Sequence, residues 1–187
     1  MAMKSNLLNM SACLTIVCLV CSGLLAGVYA LTADPIARTN AANLRASVSA
    51  VLPDGGEISD RMTVEVGGQP SEYYVSMVGD SVAAYAVKSV TAGFGGPLAL
   101  MVGITSDGQI YNTSVLEHSE TPGLGAKCKT DIHFINQFKG FDTSSRILSV
   151  KKDGGDVDAI TASTITSRAY TLAIRNAVDA VTKIKGE

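Results

Sequence analysis

The chain has 187 residues, of which 47% are hydrophobic and 17% charged, and its formal net charge is -2. Without a basic field or a Lys/Arg run it lacks the electrostatic footprint of a nucleic-acid binder. The length suits one modest domain plus an appendage, and a mean hydropathy of +0.26 points to apolar material beyond a soluble core.

That material sits first in the chain. No charged residue occurs from Ser5 to Ala33, and the apolar stretch Ala12 to Leu31 has the roughly 20 residues that cross a bilayer as a helix. Lys4 and Val28-Tyr29-Ala30 would also suit a cleaved leader. Leader cores run only about 7–15 residues, so the stretch reads as a retained anchor. Gly23 and Gly27, four apart, would let another helix approach closely. Lys4 on one side and Arg38 and Arg45 on the other scarcely decide orientation by charge. Cys13, Cys18 and Cys21 partly match an iron–sulfur spacing. On a helix, however, Cys13 points away from the other two, so they read as small packing residues. Cys128 is alone in the remainder, which leaves no internal disulfide there.

Beyond the anchor, Asp34-Pro35 reads as an N-cap and first helical position. Ala37, Ala41, Leu44, Val48 and Val51 follow at helical spacing, and Pro53-Asp54-Gly55-Gly56 ends the helix. This helix could simply continue the anchor as a stalk. Arg61–Val66 reads as a strand ending at Gly67-Gly68. Tyr73–Val78 and Val82–Val90 flank a turn at Gly79-Asp80-Ser81. Leu98–Ile104 and Gln109–His118 flank Thr105-Ser106-Asp107-Gly108, a hairpin signal because Asp-Gly accepts positive φ. Thr130–Phe138 predicts a short helix with Ile132, Ile135 and Phe138 inward. Ile147–Val150 predicts a strand and Lys151–Asp156 a turn. Ile165–Ile184 predicts a final helix with Ile165, Ala169, Leu172, Ala173, Ala177, Ala180, Val181 and Ile184 on its apolar stripe. Arg168, Thr171, Arg175, Asp179 and Lys183 fall on the opposite face, with two i,i+4 charge pairs. Strands outnumber helices and come in hairpins, so the fold class expected is α+β with a mostly antiparallel sheet.

No dinucleotide-binding, Walker or nucleophile-elbow pattern occurs. His118 and Glu120 are too few ligands for a metal, and His133 receives no role. The informative segment is Asp158-Ala159-Ile160-Thr161-Ala162-Ser163-Thr164, which runs into the last helix. Hydroxyls, small side chains and a helix start together suit a phosphate. The same residues would equally serve as an ordinary N-cap region.

This segment resembles the flavinylation motif of the FMN-bearing subunits of Rnf and Nqr redox pumps, usually written D-x-x-[ST]-G-A-T. Two other stretches strengthen the resemblance: Gly93-Phe94-Gly95-Gly96-Pro97, and His118-Ser119-Glu120-Thr121-Pro122-Gly123-Leu124-Gly125. The chain is more similar to the Rnf G subunits than to the Nqr C subunits. It departs from the motif in having Ala162 and Ser163 where the family has Gly and Ala.

The resemblance implies covalent FMN on Thr164, with Asp158, Thr161, Ala162 and Ser163 around it. Thr161, Ser163 and Thr166 are rival hydroxyls, but register with Asp158 selects Thr164. The resemblance also implies a pocket wall from Glu120, Thr121, Gly123, Leu124 and Gly125, and Lys127, Lys129 or Arg168 as possible counter-charges to phosphate. The organisation it implies is a short cytoplasmic N-terminus (1–11), a membrane helix (12–31), a stalk and first part of an extracytoplasmic domain (32–90), and an FMN domain (91–187). The implied function is electron carriage within a membrane-bound ion-translocating ferredoxin:NAD+ oxidoreductase. Other Rnf subunits and a maturing flavin transferase would be the partners. The alternatives are a flavin domain feeding another extracytoplasmic reductase, or a non-catalytic anchored assembly module.

Overall fold

The computed structural model describes residues 7–66 and 69–186. The expected turn at Gly67-Gly68 and the basic Lys4 lie outside them. The chain divides into two compact units, Met1–Asn43 and Leu44–Glu187.

The first helix, α1, is Leu7–Val51. In the first unit its apolar side chains are exposed, among them Leu14, Leu19, Leu24 and Leu31. It is long and apolar enough to cross a membrane. Thr15, Thr32 and Thr39 hydroxyls donate to the carbonyls of Ser11, Val28 and Pro35, four residues back, so hydroxyls in the helix are satisfied internally. Asp34-Pro35 does not start a new helix, since Pro35 lies inside α1. A proline costs the one N–H it lacks, whereas a break would open up to four orphan groups at each new helix end.

The second unit is an α+β domain. Its strands are β1 (Glu57–Ile58), β2 (Met62–Val66), β3 (Gln69–Val78), β4 (Ser81–Ala92), β5 (Pro97–Thr105), β6 (Gln109–His118) and β7 (Phe141–Asp142). They form one antiparallel sheet in the order β1-β3-β4-β5-β6-β7, with β2 also paired to β3. The helices are α2 (Lys127–Thr130), α3 (Ile132–Asn136) and α4 (Thr164–Gly186).

Strand alternation divides the core. Leu98, Leu100, Val102 and Ile104 face one side with Tyr85 and Val87. They meet Ala169, Tyr170, Ala173, Ile174, Ala177, Ala180 and Val181 of α4. The opposite face presents Ala84, Ala86 and Met101 to Val48, Val51 and Leu52 at the end of α1. Gly103 makes that approach possible, because a Cβ there would run into the Val51 carbonyl. Asn112 Nδ2 then donates to the Ala50 carbonyl at 2.9 Å.

Several local expectations change. The predicted 130–138 helix is shortened to α3, because Asp131 ends the separate α2 and caps α3 through its carboxylate, accepting from His133 N and Phe134 N. Phe138 is inward as expected, but Phe134 joins it, each packing within 5.1 Å of the Tyr170 ring, and Ile132 turns outward, 67% exposed. Ile147–Val150 is not a strand; only Val150 bridges, to Val157. Asp156 takes the Ile147 amide and Arg175 the Leu148 carbonyl, diverting both from any ladder. On α4 the stripe is rotated: Ile165 and Leu172 are outside, while Thr166, Tyr170, Thr171 and Ile174 are buried. The charge pairs expected there do not form, since Arg175 binds the Leu148 carbonyl and Lys183 the Glu65 carbonyl.

Candidate functional site

A cleft of about 350 Å³ opens where three loops meet. Phe94 comes from the turn after β4; Glu120, Thr121, Leu124 and Gly125 follow β6; Ala162 to Thr166 form the start of α4.

Glu120 joins these loops. Its buried carboxylate accepts from Phe94 N at 2.8 Å and from the Thr166 hydroxyl at 2.7 Å. Its own amide donates to His118 Nδ1 at 3.3 Å. Gly93, Gly95 and Gly125 let the loops close on it: a Cβ at Gly93 or Gly125 would strike the Glu120 carboxylate, and one at Gly95 the Ser119 backbone. Nearby, burial first and Glu120 second push the Cys128 thiol up to about 11.

The start of α4 is shaped by its approach. Ala162 adopts φ 61°, a left-handed conformation that glycine takes without cost. Ser167 braces the turn: its hydroxyl accepts from Ile160 N at 2.9 Å and donates to the Ser163 carbonyl at 3.0 Å. Ser163 occupies the cap position, its carbonyl taking the Ser167 amide. Its buried hydroxyl nevertheless has no hydrogen-bond partner, so it leaves the first amides of α4 uncapped. Thr164 is half-buried in the cleft wall, whereas Ser163 and Thr166 are buried and Thr161 is exposed outside the lining.

The motif is therefore divided. Ala162, Ser163 and Thr164 line the cleft with Glu120, Thr121, Leu124 and Gly125. Asp158, Thr161 and Gly123 do not. Asp158 faces solvent, ion-paired to Lys151 at 2.8 Å, and Gly123 serves an exposed turn at φ 77°. Arg168 is committed to Asp153 through bonds of 2.7 and 2.6 Å, and that pairing holds the Asp153 carboxyl below its usual range.

The sequence does not single out Phe94, Ile165 or Lys152 as site residues, and it offers Thr166 only as a rival hydroxyl. Phe94 stands inside a recognised glycine-rich stretch, which is its only signal. Lys152 Nζ donates to Thr164 Oγ1 at 3.3 Å across twelve residues, and nothing in the sequence announces that contact.

The cleft fits a flavin mononucleotide. Its mouth is apolar, with Phe94, Leu124 and Ile165 well exposed. One wall is the uncapped start of a 23-residue helix, where backbone amides and the helix dipole favour phosphate. The fold and site thus define an FMN-binding domain behind a helix able to cross a membrane. Two family models agree: the FMN-binding domain matches residues 93–179 and the RnfG N-terminal region residues 3–51.

The chain belongs to the family of G subunits of ion-translocating oxidoreductase complexes. It is 34% identical, over 92% of its length and 90% of the relative's, to the G subunit of the proton-translocating ferredoxin:NAD(+) oxidoreductase complex of Clostridium ljungdahlii. It is 32% identical, over 94% of its length and 90% of the relative's, to the G subunit of the ion-translocating oxidoreductase complex of Shewanella baltica. Among solved structures, the C subunit of the Na(+)-translocating NADH-quinone reductase from Parabacteroides distasonis matches with a TM-score of 0.47. That match is 27% identical and covers 61% of this chain and 62% of that one.

Proposed function

We propose that the protein carries FMN esterified to Thr164 and relays electrons within a membrane-bound ion-translocating ferredoxin:NAD+ oxidoreductase complex. Family membership supports the role. The observation that carries the attachment residue is accessibility: of the hydroxyls at 161, 163, 164 and 166, Thr164 alone both lines the cleft and is not buried.

FMN supplies one- and two-electron chemistry, and the protein supplies position and electrostatics. Thr164 Oγ1 would be the point of attachment, the amides at the start of α4 would hold the phosphate, and Phe94, Leu124 and Ile165 would offer apolar surface to the ring. Asp158 and Thr161, outside the lining, are available to the enzyme that attaches the flavin. A hydroxyl does not displace water from a phosphate monoester unaided, so the donor must be activated. A flavin dinucleotide meets that need: the Thr164 Oγ1–phosphorus bond forms as the phosphoanhydride bond breaks. The hydroxyl proton passes to a flavin transferase, and the nucleoside monophosphate leaves.

The residues 12–31 serve as a single-pass anchor, with 1–11 cytoplasmic, 32–90 leading outward, and 91–187 holding the flavin on the extracytoplasmic side. The other membrane and peripheral subunits of the complex are the partners. Peptide mapping of the chain co-expressed with a flavin transferase tests the reading. An FMN mass on Thr164, lost in Thr164→Val and kept in Ser163→Ala, is expected. Flavin on another residue, or none, refutes it.

A further inference from the structure

We propose that Lys152 is the cationic partner of the Thr164 side chain and of the phosphoryl group esterified to it; this rests on the assignment of Thr164 as the attachment residue. The cations around the start of α4 differ in what holds them. Arg168 is held bidentately by Asp153. Lys151 is held by Asp158 at 2.8 Å. Lys152 has no carboxylate within ion-pair distance among the described residues, and its ammonium instead donates to Thr164 Oγ1. Of Lys151, Lys152 and Arg168, the one with no carboxylate within ion-pair distance is therefore the one whose ammonium reaches Thr164 Oγ1.

The placement is built. Lys152 sits on a 3-10 turn, Lys151–Asp153, that closes with Gly154 in the left-handed region at φ 80°. The turn is fixed by Lys151 N to the Val157 carbonyl at 2.8 Å and Asp153 N to the Val150 carbonyl at 2.8 Å. The Asp153–Arg168 pair then fastens the turn to the first turns of α4. A phosphodiester keeps one negative charge at neutral pH, and its unesterified oxygens lie one bond beyond the phosphorus that Oγ1 carries. An ammonium already within hydrogen-bond reach of Oγ1 can meet them by rotating its flexible stem. The buried, unpartnered Ser163 hydroxyl at the uncapped helix start is a separate sign that this end of α4 is arranged for a group the protein does not supply.

The test uses the full-length chain co-expressed with a flavin transferase, comparing wild type, Lys152→Gln, Lys152→Arg and Lys151→Gln. Intact mass gives the extent of modification over time. The 31P resonance of the attached phosphodiester reports the charge beside it independently of electron transfer. Lys152→Gln should be modified about two- to five-fold more slowly, the range an exposed ion pair supports. It should also shift the 31P resonance and reduce its dependence on salt. Lys152→Arg should restore both, and Lys151→Gln should leave the 31P resonance as in wild type. An ester on Thr164 with an unchanged 31P resonance in Lys152→Gln overturns the Lys152 assignment alone, whatever the rate. A wild-type chain with no ester on Thr164 overturns the parent reading, and this one with it.

Discussion

The Thr166 hydroxyl donates to Glu120 Oε2 at 2.7 Å, joining the first turn of α4 to a loop 46 residues earlier in the chain. The other Glu120 oxygen takes the Phe94 amide, so one buried carboxylate fixes all three walls of the cleft. Removing it should leave a peptide N–H and a hydroxyl without acceptors, at roughly 1–3 kcal/mol for a buried donor. Glu120→Ala is expected to destabilise the domain by about 2 kcal/mol and Thr166→Ala by about 1 kcal/mol. The double variant should lose less than the sum, because the two share a bond. Guanidinium unfolding of the detergent-solubilised chain measures this, and strict additivity would contradict the coupling.

Ala162 holds φ 61° at a position where the flavinylation motif usually has glycine. A left-handed alanine costs about 1–2 kcal/mol, and glycine's greater unfolded-state freedom returns part of that. Ala162→Gly should therefore stabilise the protein by about 0.5–1 kcal/mol. Ala162→Val, β-branched at the same φ, should destabilise it. Melting temperatures compared at equal flavin content decide the matter; a lower value for the glycine variant would show that the strain is not there.

Cys128 is fully buried, and its thiol is pushed up to about 11 from an ordinary 9.0. Since the thiolate is the nucleophile, iodoacetamide at pH about 8 should modify it at least ~100-fold more slowly than a free cysteine. Glu120→Gln, by removing the second contributor, should speed that reaction. Because the folded value is the higher one, the associated stability is complete below the unfolded value of 9.0 and declines as pH rises through about 11. Rapid native-state labelling at neutral pH would contradict the burial.

Arg168 holds the Asp153 carboxyl below the ordinary 3.8. A depressed carboxylate contributes stability above its unfolded value and loses it as pH falls through the folded one. Below pH about 4 the turn carrying Lys152 should therefore loosen from α4. Asp153→Asn should remove that acid-dependent component while leaving the neutral-pH fold intact. Hydrogen exchange of the 151–155 amides against pH is the measurement, and identical profiles for both proteins would count against the latch.

Local signals made much of this architecture readable. The β4–β5–β6 hairpins follow from alternating apolar residues and from turns such as Asp107-Gly108, whose glycine sits at φ 89°. Glu120, Thr121, Leu124, Gly125 and Ala162 to Thr164, which line the cleft, were singled out through the resemblance of their two segments to a known family. Ile132, Ile165 and Leu172 were misplaced because apolar character alone does not fix helix phase. Asp131 reset the phase of α3, and Tyr170 with its hydroxyl bond to Thr113 set that of α4. Asp158 and Thr161 belong to the motif yet stand outside the cleft, a division that a linear pattern cannot express.

Composition and periodicity by themselves determined an apolar span, an antiparallel sheet and a hydroxyl-rich helix start, because each depends on neighbours within a few residues. Only the tertiary structure decided that Ser163 is buried and Thr164 accessible, that Arg168 is taken by Asp153, and that Lys152 reaches the Thr164 hydroxyl. Those outcomes depend on which distant groups share a few ångströms of space, and burial and charge pairing are properties of that shared space rather than of the residues taken in order.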